Sequence, residues 1–433
     1  MPNPNSYVLL IGNGFNKYLA RLAVENKFDG ELIKELDNIA YLWRNFDNLI
    51  DELRKNLATK LGSSFENMDG EDILFIIYEV ISFLHIISKM NNHSNSQECL
   101  TLINEILNDE IIKKIYELVK NFLSQEISNF YKRLKDAFIQ NNLLTNSFLE
   151  YLQDLDINVF TTNYEGLIDV LFSPKGFWLE DDFNSCEPSD KDFLCFCPKF
   201  SSNRHKLFHI HGSYKFFEKE GETYKLRTTN KRTDNKEQIS ELLGSIMSRI
   251  INENYKPVLI YSSFQYKQKF INKNPLLSYY FNYLRDRILN ANNIIIFGMK
   301  LANDKHIVEA ILSPPFFSQV LSDGETQKYI KTNLYIIDRC EVLEKSETYN
   351  FLKKWGKELE YSNSEISICF SLTSESTAKI LSKRKRRIKV TENGKVTFKD
   401  LKVEREFKAT ILNSETFKSL DEFAKFIKNL TSV

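Results

Sequence analysis

The chain has 433 residues, too many for one small domain, and its 58 basic and 58 acidic side chains give a formal net charge of zero. Nothing in this balance implies wholesale nucleic-acid binding, which would show as a strongly basic domain, so no direct nucleic-acid contact is expected. The apolar runs are much shorter than the ~20 residues needed to cross a bilayer, and the six cysteines form no disulfide framework, so we expect a cytoplasmic protein without a membrane segment.

Short β-rich apolar segments alternate along the chain with helical patterns. The predicted strands are Tyr7–Ile11, Ile157–Thr161, Leu207–Ile210, Pro257–Tyr261, Asn293–Phe297 and Leu334–Ile337. The predicted helices include Ile239–Asn254, Leu276–Asn290 and His306–Leu312. Such alternation is typical of an α/β protein with a doubly wound, parallel, Rossmann-like sheet.

Roughly 145 residues separate the first two predicted strands, which is too long for one crossover connection between parallel strands. Residues 30–150 show apolar positions at helical spacing, as in the run from Ile73 to Leu84. The polar segment Asn91–Gln97 indicates a loop within it. We therefore expect residues 1–340 to form one domain that carries a large helical insertion over 30–150.

The remaining segments are predicted to be loops and a small terminal unit. Residues 180–204 and 220–236 have no periodicity and are expected to be surface loops, the second with a short hairpin. Residues 341–433 are predicted to form a small C-terminal α+β appendage. Its expected elements are strands at Ile366–Leu372 and Lys395–Phe398, a hairpin turn at Glu392–Lys395 and a helix at Leu420–Leu430.

The first predicted strand runs directly into a glycine pair, Gly12 and Gly14, separated by Asn13 and followed by Phe15. Glycines at this position let the backbone approach a phosphate at the amino end of the next helix. This is only half of the dinucleotide-binding fingerprint, because no third glycine follows at the usual place. A plain tight turn remains the alternative interpretation.

The second and third predicted strands end in polar residues. Thr161, Thr162 and Asn163 end the second strand, and His211-Gly212 follows the third. Because the carboxyl ends of parallel strands open onto the ligand-binding crevice, Asn163 and His211 are expected to face one bound molecule. The alternatives are that the threonines cap a helix that begins near Tyr164, and that His211 is structural.

Three histidines lie close together in the sequence near this third strand. His209 and His211 lie on one strand face, His205 is nearby, and three cysteines precede them. The cysteines are Cys186, Cys195 and Cys197. Their spacing matches none of the paired zinc-binding patterns, so no metal is expected.

The two later strands also end in residues suited to a nucleotide. Gly298 permits close backbone approach, and Lys300 follows it. Asn303 or Asp304 is predicted to cap the helix that begins near Lys305. Asp338 ends the sixth strand, where a carboxylate accepts hydrogen bonds from ribose hydroxyls, unless it is simply a solvated strand end.

In chain order these strand ends resemble the sirtuin superfamily, in particular the divergent sirtuin-like proteins of bacterial antiviral defence. The resemblance covers about residues 6–340. The first glycine motif is matched by Gly12 to Gly14, and the Thr-Thr-Asn-Tyr-Asp motif of the defence branch by Thr161 to Glu165. The family's catalytic His-Gly is matched by His211-Gly212, and its later Gly-x-Ser-Leu by Gly298 to Leu301.

Three departures bear on what the resemblance implies. Glu165 replaces an Asp that helps to hold the nicotinamide amide in sirtuins, and Lys300 replaces a Ser. The four-cysteine zinc module that supports the acyl-lysine cleft of deacetylating sirtuins is absent from the sequence. The resemblance therefore implies hydrolysis of NAD⁺, with His211 and Asn163 as catalytic residues and NAD as substrate.

The resemblance also implies control of an activity that is toxic to the cell. We expect an antiphage, abortive-infection effector that is gated by homo-oligomerisation or by a sensor encoded nearby, such as an Argonaute, an ATPase or a nucleotide-sensing subunit. Two alternatives are a catalytically impaired module that senses NAD or ADP-ribose and, ranked last, a protein deacylase. The basic run Lys383–Arg387 is interpreted as a solvated linker.

Overall fold

The structure, a computed structural model, describes residues 6–40, 109–145, 156–172, 181–185, 190–198, 206–228, 233–260, 264–313, 327–392 and 395–430, and a few positions between 51 and 63. Its strands are β1 (Ser6–Ile11), β2 (Asp156–Thr161), β3 (Phe183–Ser185), β4 (Phe193–Phe196), β5 (Lys206–His209), β6 (Gly212–Lys219), β7 (Glu222–Leu226), β8 (Lys256–Leu259), β9 (Asn293–Phe297), β10 (Gln327–Asp338), β11 (Ile366–Leu372), β12 (Thr377–Glu392) and β13 (Lys395–Asn413). Its α-helices are α1 (Asn13–Glu25), α2 (Gly30–Ala40), α3 (Asp109–Ile127), α4 (Phe130–Gln140), α5 (Leu167–Leu171), α6 (Lys236–Asn252), α7 (Phe264–Lys273), α8 (Pro275–Asn290), α9 (Lys305–Leu312), α10 (Glu347–Ser362) and α11 (Leu420–Asn429).

Eight of these strands form the main sheet, in the spatial order β11-β12-β13-β10-β9-β1-β2-β5. The six strands from β13 to β5 are all parallel, whereas β11 and β12 run antiparallel at one edge. The predicted α/β class with a mostly parallel sheet is therefore confirmed. Strand β1 lies inside the sheet, and the later parallel strands are added first on one side of it, as β2 and β5, and then on the other, as β9, β10 and β13.

The central strands are almost wholly apolar because both faces of the sheet are covered. Val8 and Leu10 of β1 point into a core that includes α8, α9 and α10, while Leu9 and Ile11 point into a second core with α1, α2, α4, α5 and α11. Side chains alternate between the faces of a strand, so a continuous apolar run serves two cores. Each fully buried aliphatic side chain contributes about 1.5–3 kcal/mol of transfer free energy.

A second sheet of five short antiparallel strands, in the order β3-β4-β7-β6-β8, was not predicted. The expected surface loop over 180–204 contains β3 and β4. Of the hairpin expected within 220–236 only β7 lies in that range, since its partner strand β6 precedes it. The prediction that Pro257–Tyr261 belongs to the parallel sheet was wrong, because β8 pairs antiparallel with β6. A short apolar run carries no information about the direction of its partner strand.

The C-terminal residues extend the main sheet instead of forming an appendage of their own. Residues 402–413 of β13 pair in parallel with the whole of β10, and α11 packs beside α1 in the second core. The predicted strand Ile366–Leu372 and the pairing of Glu392 with Lys395 across the hairpin are confirmed. The run Lys383–Arg387 lies within β12 and is therefore not a linker.

The described parts of residues 30–150 are mostly helical, as expected, and include α2, α3 and α4. The run from Ile73 to Leu84 and the loop predicted at Asn91–Gln97 lie outside the described residues. Within the part of the chain that the structure describes, no helix combines the length and the apolar character that a membrane crossing requires.

A buried ionic cluster joins α3 to the second sheet. The Glu126 carboxylate pairs with Lys215 Nζ at 2.5 Å and accepts hydrogen bonds from Thr228 Oγ1 at 2.5 Å and from the Tyr214 hydroxyl. Burial acts to raise the pKa of Glu126, but the Lys215 ammonium and the hydrogen bonds outweigh it, so the pKa lies below its usual value. Glu126 is thus ionised in the folded protein.

We expect Glu126→Gln to destabilise the fold by about 3–5 kcal/mol, because it leaves Lys215 as an uncompensated buried cation. The lowered pKa adds stability that is full above the unfolded-state value and is lost as the pH falls through the folded-state value. Urea unfolding at pH 7 and at lower pH checks both effects. The matched control is Glu253→Gln. Glu253 pairs with Lys219 at 2.9 Å, but 39% of its side chain is exposed. The control should therefore destabilise the fold by only about 0–1 kcal/mol. Equal effects of the two variants would contradict this account.

Candidate functional site

The strands that carry the predicted site residues end at the same edge of the main sheet. Ile11 pairs with Thr161 on one side and with Phe297 on the other. Thr161 pairs in turn with His209, and Phe297 with Ile337. The segments that follow these five residues therefore emerge side by side from the carboxyl edge of the sheet.

The turn after β1 and the turn after β9 are packed backbone against backbone. A Cβ on Gly14 would lie 2.4 Å from Gly298 Cα, and one on Gly12 would lie 2.6 Å from Met299 Cα. The Gly14 N–H donates to the Gly298 carbonyl at 2.7 Å, and the Gly12 N–H donates to the Phe297 carbonyl at 3.0 Å. These glycines are thus required by the contact between two turns, and neither of their N–H groups is left for a phosphate.

The other residues of the first motif are also held by protein contacts. Phe15 is fully buried, and its ring packs on Phe297 at 5.0 Å between centroids, so it is a core side chain and not a ligand contact. The Asn13 side chain donates to the Ala40 carbonyl at 2.8 Å, which ties the start of α1 to the end of α2. The prediction of Phe15 as a binding residue is corrected accordingly.

The polar residues after β2 build a turn that points Asn163 back toward β1. Thr161 Oγ1 donates to the Ile11 carbonyl at 3.1 Å and accepts from the Asn163 N–H at 3.0 Å. The Asn163 side-chain amide reaches the Gly12 carbonyl at 3.4 Å, and the Thr162 N–H donates to Ile11 at 3.1 Å. The threonines do not cap a helix, since α5 begins at Leu167 without a side-chain cap.

Glu165 lies buried behind this turn. Its Oε1 accepts a hydrogen bond from the Asn16 side chain at 2.9 Å, which joins the β2 turn to α1. Burial raises the pKa of the Glu165 carboxyl above its usual value, although the bond from Asn16 acts in the opposite direction. A carboxyl with a raised pKa is able to carry a proton and to donate a hydrogen bond.

Both ring nitrogens of His209 have partners in the structure. Nδ1 lies 2.8 Å from the Asn163 carbonyl, and Nε2 lies 2.9 Å from Asp169 Oδ2. Burial lowers the pKa of His209, but the Asp169 carboxylate outweighs this and the pKa is raised. His209 is therefore a structural residue that fixes the position of the Asn163 backbone.

The second sheet's strand β6 begins at Gly212, directly after His211, in a backbone conformation that only glycine adopts there without a clash. Gly212 has φ +87°, and a Cβ there would lie 1.9 Å from the Val258 carbonyl oxygen. The Ile260 N–H donates to the His211 carbonyl at 2.9 Å and thereby fixes the backbone of the histidine. His211 is thus placed where the main sheet passes into the second sheet.

His211 is 3% exposed and is surrounded by ionisable groups from two helical segments. Its Nε2 lies 3.4 Å from Asp304 Oδ1, and the same oxygen accepts a hydrogen bond from Lys267 Nζ at 2.9 Å. The His306 ring lies 5.6 Å from the His211 ring, and neither of its nitrogens has a hydrogen-bond partner among the described residues.

The charges around His211 decide the protonation of each member. Burial lowers the pKa of His211 well below its usual value, with Asp304 opposing and Lys267 adding to the effect. Burial alone would raise the pKa of Asp304, but Lys267 outweighs it and the pKa falls to about 2. Burial lowers the pKa of His306 to about 4. At neutral pH both imidazoles are neutral and the carboxylate is ionised.

Two histidines and one carboxylate form a donor set that metals accept. The ligand atoms of His211, Asp304 and His306 lie within 4.8 Å of one another. The Lys267 ammonium already supplies a positive charge to Asp304, so we assign no metal here. Among the cysteines considered above, Cys195 is disulfide-bonded and Cys197 is exposed, while Cys186 lies outside the described residues.

The remaining predicted binding residues lie at the same edge of the sheet. Gly298 has φ +59° in the turn after β9, and Lys300, two residues later, is exposed. Asp338 Oδ2 accepts from Ser346 Oγ at 2.9 Å, and Ser346 caps α10. Asp338 is therefore bonded to the start of a helix and is only partly buried.

Sequence reasoning missed the role of Asp304 and did not consider Lys267. Asp304 occupies the N-cap position of α9, but its side chain makes no capping bond and turns to Lys267 and His211 instead. The only signal was the Asp-x-His spacing to His306, which a capping interpretation also explains. Lys267 gave no signal, since one lysine in a helical pattern is ordinarily solvated.

No protein-family model matches the chain, and no curated protein is significantly similar to it.

Proposed function

We propose that the protein is an NAD⁺ hydrolase that releases nicotinamide and ADP-ribose. The observation that carries this proposal is the register of β2 and β5, in which Thr161 pairs with His209. Asn163 and His211 each follow two residues later, so an amide and an imidazole leave neighbouring strands at one edge. The His209 ring, bonded to the Asn163 carbonyl at 2.8 Å, joins the two segments.

The order of the strands supports binding of a dinucleotide. Taken in chain order, the parallel strands are arranged third, second, first, fourth, fifth, sixth, with β1 and β9 at the point where the order reverses. In Rossmann-like folds of this order the dinucleotide lies across that point, outside the carboxyl ends of the strands. The paired turns of Gly12, Gly14 and Gly298 lie there.

The chemistry requires a base and orientation more than a strong acid. Nicotinamide leaves NAD⁺ as a neutral molecule when its bond to the ribose C1′ breaks, and the ribose passes through an oxocarbenium-like state. A water oxygen then bonds to C1′, and its proton passes to a neutral imidazole. We assign the base to His211, which is neutral at pH 7, and the positioning of water and ribose to Asn163.

The other residues of the edge are assigned by their chemistry. The amino end of α1 carries partial positive charge and would attract the pyrophosphate, with Gly12, Asn13 and Gly14 forming the turn beneath it. Glu165 and Thr162 lie near the nicotinamide side in this arrangement, and Thr161 holds Asn163. Lys300 and Asp338 are assigned to phosphate and adenosine ribose on the β9–β10 side.

We further propose that the hydrolase is the toxic effector of an antiphage system. Unregulated loss of NAD⁺ would harm the host cell, so the activity has to be gated by oligomerisation or by a sensor protein encoded nearby. The burial of His211, which is 3% exposed in the single chain, supports such gating. A partner that opens this region would admit the substrate to the base.

The same burial favours a second candidate, a module that binds NAD or ADP-ribose without cleaving it. Asp304 and Lys267 enclose His211, and Glu165 is bonded to Asn16 at 2.9 Å. In this case the nucleotide would bind at the carboxyl edge of the sheet while the imidazole stays out of reach of water.

Incubation of the purified protein with NAD⁺ tests the two candidates. The reaction is run alone and with the products of the neighbouring genes, and nicotinamide and ADP-ribose are followed by chromatography. Release of both products in equal amounts supports the hydrolase. Tight binding without release under every condition would support the sensor, and release only with an acylated peptide would contradict both.

A further inference from the structure

The proposed mechanism leaves a buried carboxylate next to His211 without a role. Asp304 stands at the start of α9, and Lys267 reaches it from α7, so neither belongs to the strand-end motifs. Asp304 is 5% exposed, and it makes no capping bond that would explain its presence. A buried carboxylate is costly unless its charge is used or compensated.

We propose that Asp304 is the positioning residue for His211 and that it fixes which imidazole nitrogen acts as the base. This inference rests on the proposed role of His211 in NAD⁺ hydrolysis. Asp304 Oδ1 lies 3.4 Å from His211 Nε2. Among the described residues, no other histidine nitrogen lies within ion-pair distance of this carboxylate. In the proposed active arrangement the ionised carboxylate accepts a hydrogen bond from the Nε2–H group, which leaves Nδ1 free of a proton and able to take one from water.

The distance in the unliganded chain is longer than a good hydrogen bond. Nε2 has no hydrogen-bond partner among the described residues, so the contact with Asp304 is the one available to it. Catalytic hydrogen bonds are often long before the substrate binds and tighten in the complex. When Nδ1 accepts a proton, the imidazolium is attracted to the carboxylate, and the distance between Nε2 and Asp304 Oδ1 shortens to that of a hydrogen bond.

Lys267 and His306 determine whether Asp304 can position the His211 imidazole. Lys267 Nζ bonds to the same Oδ1 at 2.9 Å, which keeps the carboxylate ionised and stops it from taking the proton itself. His306, whose ring packs on Phe281 at 5.2 Å, stays neutral and adds no charge beside His211. Among the residues that the structure describes, the charged and titratable groups that face His211 are Asp304, Lys267 and His306.

The titration of His211 tests this inference without any reaction. The chain has six histidines, so ¹³C-labelled histidine gives a spectrum in which His211→Gln identifies the signal. We expect Asp304→Asn to lower the pKa of His211, because the substitution removes the negative charge while it keeps the shape of the side chain. We expect Lys267→Gln to raise it, because it removes a positive charge. An unchanged His211 titration in Asp304→Asn would overturn the inference.

The second readout is the rate of nicotinamide release. Asp304→Asn is expected to lower kcat by about 100-fold with little change in KM, because a misoriented base acts on a substrate that still binds. The matched control is Glu309→Gln on the same helix, since Glu309 is 42% exposed and pairs with Lys305 at 3.7 Å, and no change is expected there. Wild-type turnover in Asp304→Asn would overturn the inference while leaving the hydrolase in place.

Two further outcomes separate this inference from the proposed function. If no condition yields nicotinamide but the two titration shifts appear with opposite signs, the coupling stands and the hydrolase fails. If the purified protein carries one equivalent of zinc that is lost in His306→Gln, Asp304 is a metal ligand, and the positioning role is overturned.

Discussion

Replacement of His211 by Ala is expected to lower the rate of nicotinamide release by about 10²–10⁴-fold, which is the usual contribution of a general base. The loss should appear in kcat, because the imidazole acts on the water and not on the bound nucleotide. His211→Ala removes a side chain whose Nε2 has no hydrogen-bond partner among the described residues, so the folded state should persist. The rate is measured with the activating partner present, alongside a thermal unfolding curve.

The Asn163→Ala variant provides the companion measurement. Its side-chain amide contacts the Gly12 carbonyl at 3.4 Å and is assigned to the ribose and the water, so both kcat and KM should change. Tyr361→Ala serves as the control, since Tyr361 is 94% exposed on α10 and should leave the rate unchanged. Full cleavage of NAD⁺ by both site variants would remove the assignment.

Replacement of Gly212 by Ala is expected to destabilise the fold by about 4 kcal/mol or more, the range in which backbone clashes lie. The added Cβ would lie 1.9 Å from the Val258 carbonyl, an atom of β8 that cannot move without opening the β6–β8 pairing. The φ of +87° adds strain for any residue with a side chain. Urea unfolding and the yield of soluble protein measure the effect.

Two other glycines separate the clash from the backbone strain. Gly221 has φ +84° with no atom within 4 Å of an added Cβ, so Gly221→Ala should cost only about 1–2 kcal/mol. Gly244 lies in α6 with open space around it, and Gly244→Ala should stabilise the protein by about 0.5–1 kcal/mol. If the Gly212→Ala variant were no less stable than Gly221→Ala, the backbone around Gly212 would have to shift at little cost, and the predicted clash with Val258 would be wrong.

The parallel sheet was predictable because its strands are buried on both faces. Tyr7–Ile11 and Asn293–Phe297 are continuous apolar runs, and each was placed almost to the residue. The second sheet was not predictable, since β3 has three residues and β4 has four, and neither shows an alternating pattern. The partner of β8 depends on tertiary contacts that a run of four apolar residues does not encode.

In the candidate site, too, residues with a local sequence pattern were predicted and residues that depend on distant contacts were not. Asn163 and His211 were found because polar residues that end buried strands stand out in the sequence. The function of the glycines was harder to infer, because a close approach to Gly298 and a close approach to a phosphate require the same residue type. Asp304 and Lys267 were missed because they lie 37 residues apart in the sequence, and no local pattern indicates such a contact.

A structure of the His211→Ala variant with NAD⁺ bound would locate the substrate directly, since this variant should hold NAD⁺ without cleaving it. We predict that NAD⁺ spans the edge formed by the turns after β1, β2, β5 and β9. Its nicotinamide ribose should contact Asn163 and face the position of the missing imidazole. NAD⁺ bound on another surface, or with its nicotinamide ribose far from both residues, would contradict the account.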